Sequence, residues 1–91
     1  MKIVSVIVPC HNAAKWLPQC FLSLVQQSIG MDALELIFVD DGSQDATLSE
    51  MKKLSEKDAR CQYLSFSRNF GKEAAIYAGL CKAKGDYVVV M

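Results

Sequence analysis

The chain has 91 residues with ten basic and ten acidic side chains, so its formal net charge is zero. Because no run of one sign occurs, nucleic-acid binding through a general positive field is disfavoured. The length fits one small domain, and the hydrophobic fraction of 52% suggests apolar surface that a longer parent chain or a second subunit would cover.

The amino-terminal third predicts a strand followed by a helix. Residues 3–8 are β-branched and nearly all apolar, which is typical of a strand buried on both faces and here ended by Pro9. Apolar residues recur at helical spacing over residues 14–27. Asn12 is the predicted N-cap of this helix, and Gly30 is predicted to end it.

The remainder repeats this alternation. A second helix is predicted after a cap at Ser43 or Asp45, and a third over residues 72–84, closed by Gly85. Trp16 is expected in the core or at an interface. Three further strands are predicted at residues 34–39, 61–66 and 87–91.

The resulting order, βαβαβαβ, predicts an α/β fold with a parallel, Rossmann-like sheet and helices on its faces. Ligands of such sheets bind outside the carboxyl ends of the strands. The last predicted strand, which is expected to be buried, runs to the final residue, Met91, where a functional loop would be expected to follow. We therefore expect residues 1–91 to be a truncated part of a longer domain.

Polar residues cluster after three of the predicted strands. Cys10-His11-Asn12 follows the first, Asp40-Asp41-Gly42-Ser43 the second, and residues 67–72 the third. Because the carboxyl ends of parallel strands meet at one edge, these segments are expected to converge on one crevice. The opposite edge has only scattered polar residues, so this crevice is the candidate ligand site.

The adjacent carboxylates of Asp40 and Asp41 allow several roles. They could accept hydrogen bonds from ribose hydroxyls or a base N–H. They could instead cap the following helix through its dipole, although Asp45 is free to do so. A shared metal ion is the third alternative, but neighbouring side chains face one cation with difficulty.

The other polar residues are equally open from their positions alone. His11 could stack on a flat base or hydrogen-bond the loop backbone, whereas no motif supports a catalytic base. Arg68 and Lys72 flank Gly71 at a predicted helix start, where a cation opposes the helix dipole. They would suit a bound diphosphate there, or they are solvated surface cations.

Two signatures are missing from the sequence. No G-x-G-x-x-G follows the first strand, which disfavours half of a dinucleotide-binding oxidoreductase with Asp40 on the ribose. No G-x-x-x-x-G-K-[ST] occurs, so a P-loop is excluded.

The cysteines and the hydropathy bear on location. No zinc-binding spacing is present, and free thiols in a reducing cytosol are expected for Cys10, Cys20, Cys61 and Cys81. No signal peptide is visible, and no apolar stretch approaches the ~20 residues of a membrane span. A cytoplasmic location follows as an expectation, with the cytosolic face of a membrane as the place for a longer parent.

Two segments together resemble a known family. Val4-Ser5-Val6-Ile7-Val8-Pro9-Cys10-His11-Asn12 and Val39-Asp40-Asp41-Gly42-Ser43-Gln44-Asp45 look like the opening of family 2 glycosyltransferases, which have a GT-A fold and use nucleotide-diphosphate sugars. Residues 67–75 are similar to the branch that transfers a sugar to polyprenyl phosphate, such as dolichol-phosphate mannosyltransferase. Ala13 departs from that branch, where many members carry Glu.

This resemblance implies roles by position. The implied nucleotide-binding residues are Pro9, His11, Asn12, Asp40, Asp41 and Gly42, and those toward the diphosphate or acceptor phosphate are Arg68 and Lys72. It also implies inverting transfer from a UDP- or GDP-sugar to polyprenyl phosphate or a growing polysaccharide, with Mg²⁺ or Mn²⁺ in the full-length enzyme. The family's Asp-x-Asp motif would lie beyond Met91, so we expect no catalytic residue and no metal ligand here, and weak nucleotide binding without turnover.

One alternative belongs to another functional class. A non-catalytic nucleotide-binding or dimerisation module would keep the sheet without chemistry. The exposed edge of the last strand could then pair with a second chain.

Overall fold

A computed structural model describes residues 3–27 and 34–91 of the chain. The elements in chain order are β1 (Val4–Cys10), α1 (Leu17–Gln27), β2 (Leu34–Asp40), α2 (Thr47–Lys57), β3 (Cys61–Ser65), α3 (Lys72–Lys82) and β4 (Tyr87–Val90). The four strands form one sheet in the order β3-β2-β1-β4, and every pair is parallel. The predicted α/β fold with a parallel sheet is therefore confirmed.

The two central strands bury both of their faces, because successive side chains of a strand point to opposite sides. Val6, Val8, Leu36 and Phe38 form one apolar layer with buried residues of α1 and α2. The second layer contains Ile7, Ile37 and Val39, which pack with Ala75 of α3. This explains why the strand segments of the sequence read as continuous apolar runs.

A polar network lies at the amino end of the sheet, where the sequence had shown only scattered polar residues. The Ser5 hydroxyl and the Lys84 backbone N–H donate to Glu35 Oε1 at 2.7 and 3.0 Å. Gln62 Nε2 donates to Glu35 Oε2 at 3.0 Å. Burial opposes ionisation of Glu35, but these hydrogen bonds outweigh it and lower the pKa of its carboxyl group.

Several local predictions were wrong. β1 continues through Pro9 to Cys10, so Pro9 does not end this strand. The N-cap of α2 is Ala46 rather than Ser43 or Asp45.

The other errors concern α1, α3 and one aromatic side chain. Asn12 is not the N-cap of α1, because the helix begins at Leu17 and Asn12 has a φ of 51°. The third helix ends at Lys82, and the N–H of Gly85 donates instead to Ser5 Oγ at 2.8 Å. The core position expected for Trp16 is also wrong, since the side chain is 67% exposed. The expected helix end at Gly30 lies outside the described residues.

The edge strand β4 exposes both of its faces. Val88, Val89 and Val90 are all exposed, although their β-branched run predicted burial. The exposed apolar side chains of this strand are part of the uncovered apolar surface that the high hydrophobic fraction suggested. Among the described residues, the helices are all too short or too polar to traverse a bilayer.

Candidate functional site

A cleft of about 250 Å³ opens at the carboxyl end of the sheet. Its lining residues are Pro9, Cys10, His11, Asp41, Lys72 and Met91. They come from the ends of β1 and β2, the start of α3 and the residue after β4. The three predicted segments thus converge as expected, and the structure brings Pro9, His11, Asp41 and Lys72 together.

The loops around the cleft are named here by their order: residues 11–16 form the first loop, residues 41–46 the second and residues 66–71 the third. Four predicted site residues belong to these loops or to the end of β2, yet do not line the cleft. They are Asn12, Asp40, Gly42 and Arg68. The contacts of each show what it does instead.

The imidazole of His11 is held by two hydrogen bonds. Its Nδ1 lies 2.9 Å from the backbone carbonyl oxygen of Asp41. Because a carbonyl oxygen can only accept, Nδ1 carries the proton. His11 is exposed, so its ring remains accessible while its position is fixed.

The orientation of Asn12 supports the same tautomer. The backbone N–H of Gln44 donates to Asn12 Oδ1 at 2.8 Å, which fixes the amide and turns Asn12 Nδ2 toward His11. Asn12 Nδ2 lies 3.3 Å from His11 Nε2, which must then accept. Both ring nitrogens are therefore engaged, which favours a binding role for His11 over a role as a general base.

Consecutive residues of the first loop are hydrogen-bonded to the second loop and the start of α2. These bonds run from Asn12 N to Ser43 Oγ (2.8 Å), Ala13 N to Thr47 Oγ1 (2.8 Å) and Ala14 N to Asp45 Oδ2 (3.3 Å). Asp45 also accepts the Thr47 backbone N–H at 2.9 Å, so it orders the first turn of α2. The Thr47 hydroxyl, which donates to Asp45, is the main cause that lowers the pKa of this carboxyl group.

Asp41 connects the second loop to the third. Its Oδ1 accepts the backbone N–H of Phe70 at 2.8 Å, and its Oδ2 accepts that of Gly71 at 3.0 Å. The side chain is buried, with 5% of Asp41 exposed. A buried carboxylate needs such donors, because desolvation without them is costly.

Gly42 provides a second contact between the same loops. Its φ is +68°, a conformation that favours glycine. A Cβ atom at this position would lie 2.2 Å from the backbone carbonyl carbon of Arg68 and 2.2 Å from the nitrogen of Asn69. Gly42 thus allows the third loop to lie directly against the second.

Asp40 faces away from Asp41 and stabilises the end of β2. Its Oδ1 accepts the Ser43 backbone N–H at 3.0 Å, and its Oδ2 accepts the Ser65 hydroxyl at 3.3 Å. Because the two carboxylates face different partners, they do not form a metal-binding pair. Within residues 3–27 and 34–91, no group of three or more His, Cys, Asp or Glu side chains is placed to hold a metal ion.

The two cations near the third loop differ in position. Lys72 is the exposed first residue of α3 and lines the cleft. The guanidinium carbon of Arg68 lies 4.8 Å from the ring centroid of Phe70, a cation–π contact on the exposed loop. Lys72 is therefore the cation at the cleft, whereas Arg68 packs on an aromatic neighbour.

Two lining residues, Cys10 and Met91, have no ligand role among the sequence-based predictions, although Cys10 belongs to a segment that was expected at the crevice. Cys10 stands between Pro9 and His11, and that position was the available signal. Burial, followed by the influence of Cys20 and Asp40, raises the pKa of the Cys10 thiol to about 12. All four cysteines are free, as predicted, and Cys10 is a neutral thiol rather than a nucleophile.

Comparison with known sequences finds similarity to glycosyl transferases. The family model described as Glycosyl transferase family 2 matches residues 5–91. A bactoprenol glucosyl transferase of Shigella phage SfV is 41% identical over 90 residues, which is 98% of this chain and 29% of that relative.

Solved structures share the fold over nearly the whole chain. Mannosyltransferase PcManGT from Pyrobaculum calidifontis, in complex with GDP-Man and Mn²⁺, has a TM-score of 0.86 at 28% identity, over 96% of this chain and 26% of that protein. Residues 1–349 of TarS from S. aureus, in complex with UDP, have a TM-score of 0.87 at 29% identity, over 98% and 26% of the two chains. The chain thus spans less than a third of each of the relatives named here.

Proposed function

Because this chain belongs to glycosyl transferase family 2, we propose that it supplies the nucleotide-binding loops of an enzyme that transfers a sugar from a UDP- or GDP-linked donor. The observation that carries this proposal is the cleft at the carboxyl end of the sheet, where His11, Asp41 and Lys72 meet. Residues 1–91 are then the nucleotide-sugar-binding part of a longer glycosyltransferase domain.

The chemistry of the cleft suggests how a nucleotide would lie in it. The accessible His11 ring offers a π-face for the base, with Pro9 beside it. Asp41 offers the remaining lone pairs of its carboxylate to a base or ribose donor. Lys72, the first residue of α3, offers a positive charge to the diphosphate. The UDP and GDP-Man bound to the two solved relatives support a nucleoside diphosphate as the ligand.

The other predicted residues have indirect parts in this proposal. Asn12 orients His11, Gly42 permits the close approach of the third loop, and Asp40 stabilises the turn that presents Asp41. Arg68, which is exposed and does not line the cleft, is the proposed contact for an acceptor phosphate.

The acceptor is proposed to be a polyprenyl phosphate, with a growing polysaccharide as the second candidate. The support is the relative whose name gives glucosyl transfer and bactoprenol. The reaction would be an inverting displacement at the anomeric carbon, and a lipid acceptor would place it at a membrane surface.

A divalent cation, Mg²⁺ or Mn²⁺, neutralises charge on a leaving diphosphate in such reactions. The described residues do not fit a cation, since Asp40 and Asp41 face different partners and no cluster of three ligands occurs among them.

A second candidate, a non-catalytic or dimerising module, is favoured by one observation, the exposed apolar strand β4. Strand pairing between two copies would cover this edge. The mass of the chain in solution distinguishes the two candidates. A mass that corresponds to a dimer favours the module, provided that the dimer requires β4 to form.

The direct test is a backbone amide NMR titration of this chain with UDP, GDP and NAD. We expect UDP or GDP to shift the amide signals of His11, Asp41 and Gly42, and NAD to leave them unchanged. If the sample is well folded and none of the three nucleotides shifts the amide signals of these residues, the proposal is contradicted. A response to NAD alone would favour a dinucleotide-binding protein.

A further inference from the structure

We propose that Asp41 is a positioning residue, which sets the third loop (residues 66–71) and thereby the placement of Lys72 at the cleft. This inference rests on the proposed function and adds a role to Asp41 beyond contact with a base. It is drawn from the contacts of Asp41 and of its neighbour Gly42.

Both carboxylate oxygens of Asp41 are used by the third loop. Oδ1 accepts from Phe70 N at 2.8 Å and Oδ2 accepts from Gly71 N at 3.0 Å. Hydrogen bonds to an ionised acceptor are roughly twice as strong as neutral ones. Because Asp41 is 5% exposed, water competes little for these oxygens.

The two N–H groups that Asp41 accepts belong to Phe70 and Gly71, which directly precede Lys72 in the chain. Gly71 precedes Lys72, the first residue of α3, and has a φ of 101°, a conformation that favours glycine. Asn69 Oδ1 also accepts the Gly71 N–H, at 2.9 Å, so this N–H is shared between two acceptors. A shift of Gly71 would move the start of α3 and the Lys72 side chain with it.

Asp41 joins the two sides of the cleft. Its backbone carbonyl accepts from His11 on the proposed base side, and its carboxylate holds the third loop on the proposed phosphate side. Gly42, the next residue, lies against the backbone of Arg68 and Asn69. One short segment therefore fixes the spacing between the His11 ring and Lys72.

Inorganic pyrophosphate is the probe that separates positioning from base contact, since it has no base. The substitution Asp41→Asn removes a negative charge near the cleft. Because this charge repels an anion, its loss alone predicts tighter pyrophosphate binding. Loss of positioning predicts the reverse, because Asn cannot accept both N–H groups in the same way. We expect the Kd of pyrophosphate to rise by about fivefold or more in the variant.

The hydrogen bonds themselves can be observed in the unaltered chain. We expect NMR scalar couplings across the hydrogen bonds between the carboxyl carbon of Asp41 and the amide nitrogens of Phe70 and Gly71. This measurement needs no substitution, so a variant that fails to fold does not affect it. In Asp41→Asn the amide signals of residues 68–72 are expected to move, whereas Asp86→Asn serves as the matched control. Asp86 accepts the N–H of Ile3 at 2.8 Å, and the two residues directly precede β4 and β1 at the amino end of the sheet, opposite the cleft.

The outcomes separate this inference from the proposed function. The positioning role is overturned if the couplings are absent, or if the third-loop amide signals are unchanged in Asp41→Asn. It is also overturned if the wild type does not bind pyrophosphate, or if the variant binds pyrophosphate no more weakly than the wild type. If the couplings are present and pyrophosphate behaves as expected but neither UDP nor GDP binds, the positioning role stands and the nucleotide proposal fails.

Discussion

The Nδ1 atom of His11 lies 2.9 Å from the backbone carbonyl oxygen of Asp41, so a hydrogen bond between two residues that line the cleft joins the first loop to the second. The same bond fixes the protonation of the ring, since only a protonated Nδ1 can donate to a carbonyl. The position of His11 therefore depends on the second loop as well as on β1.

The first prediction concerns the tautomer of this ring. Neutral His11 is expected to carry its proton on Nδ1, because Nε2 accepts from Asn12 Nδ2 at 3.3 Å. Long-range ¹H–¹⁵N NMR spectra distinguish the two ring nitrogens directly. A ring protonated at Nε2 in the neutral state would show that the Asn12 and Asp41 contacts are not as described.

The second prediction concerns Asn12, whose φ is 51°. Asn12→Ala removes the side-chain bond to Gln44 and places alanine in a left-handed conformation, with an expected loss of about 2 kcal/mol in the free energy of unfolding. Asn12→Gly is the matched control, because glycine tolerates this φ while losing the same bond. Urea unfolding should rank the stabilities as wild type, Asn12→Gly, Asn12→Ala, and equal stabilities of the two variants would rule out a conformational contribution.

The third prediction compares two glycines with positive φ. Gly42→Ala places a Cβ atom 2.2 Å from the backbone of the third loop, whereas a Cβ atom at Gly71 meets nothing within 4 Å. Both variants carry backbone strain of order 1–3 kcal/mol, and only Gly42→Ala adds a collision. Gly42→Ala should therefore lower the unfolding midpoint more and shift the amides of residues 68–70 more. A greater loss in Gly71→Ala would contradict the close approach of the loops.

The fourth prediction follows from the lowered pKa of Glu35. A carboxyl group with a pKa below its ordinary value of 4.5 contributes stability that is fully present above that pH. This contribution is lost as the pH falls through the native pKa, since protonated Glu35 no longer holds the hydrogen bonds of a carboxylate. In Glu35→Gln the unfolding free energy should fall less between neutral pH and low pH than in the wild type. Parallel pH profiles of the two proteins would show that Glu35 does not contribute.

The fifth prediction tests Lys72 as the cation at the cleft. Lys72→Gln should weaken binding of the preferred nucleoside diphosphate by about threefold to tenfold while leaving binding of the corresponding nucleoside unchanged. Lys57→Gln, at the end of α2, is the matched control and should change neither Kd. Calorimetric or NMR titrations measure both ligands. An equal loss for nucleoside and diphosphate would place Lys72 away from the phosphates.

The order of helices and strands along the chain and the converging loops could be predicted because they depend on local patterns. The β-branched runs of β1 and β2 mark buried strands, and parallel strands bring their carboxyl ends to one edge. The contacts of the short segment from Ser43 to Thr47 could not be predicted from such local patterns. Its hydrogen bonds reach residues 12–14, about thirty positions earlier, and depend on loop geometry that composition and periodicity do not describe.

The errors have similar physical causes. Asn12 was predicted as an N-cap from its residue type, but its side chain finds a partner in Gln44 across the loops. Asp40 and Asp41 are adjacent and chemically identical, yet successive side chains point in different directions and only Asp41 lines the cleft. The amino-end network around Glu35 joins residues from separate strands, so no short motif announces it. The ligand roles of the site residues remain predictions.

The most direct test of the central claim is an intermolecular NOE spectrum of this chain with UDP or GDP, whichever shifts its amides. If the cleft binds the nucleotide as proposed, base protons should show NOEs to the ring protons of His11, with further contacts at Pro9. NOEs confined to the exposed face of β4, or an absence of any contact with His11 in a saturated sample, would contradict the account.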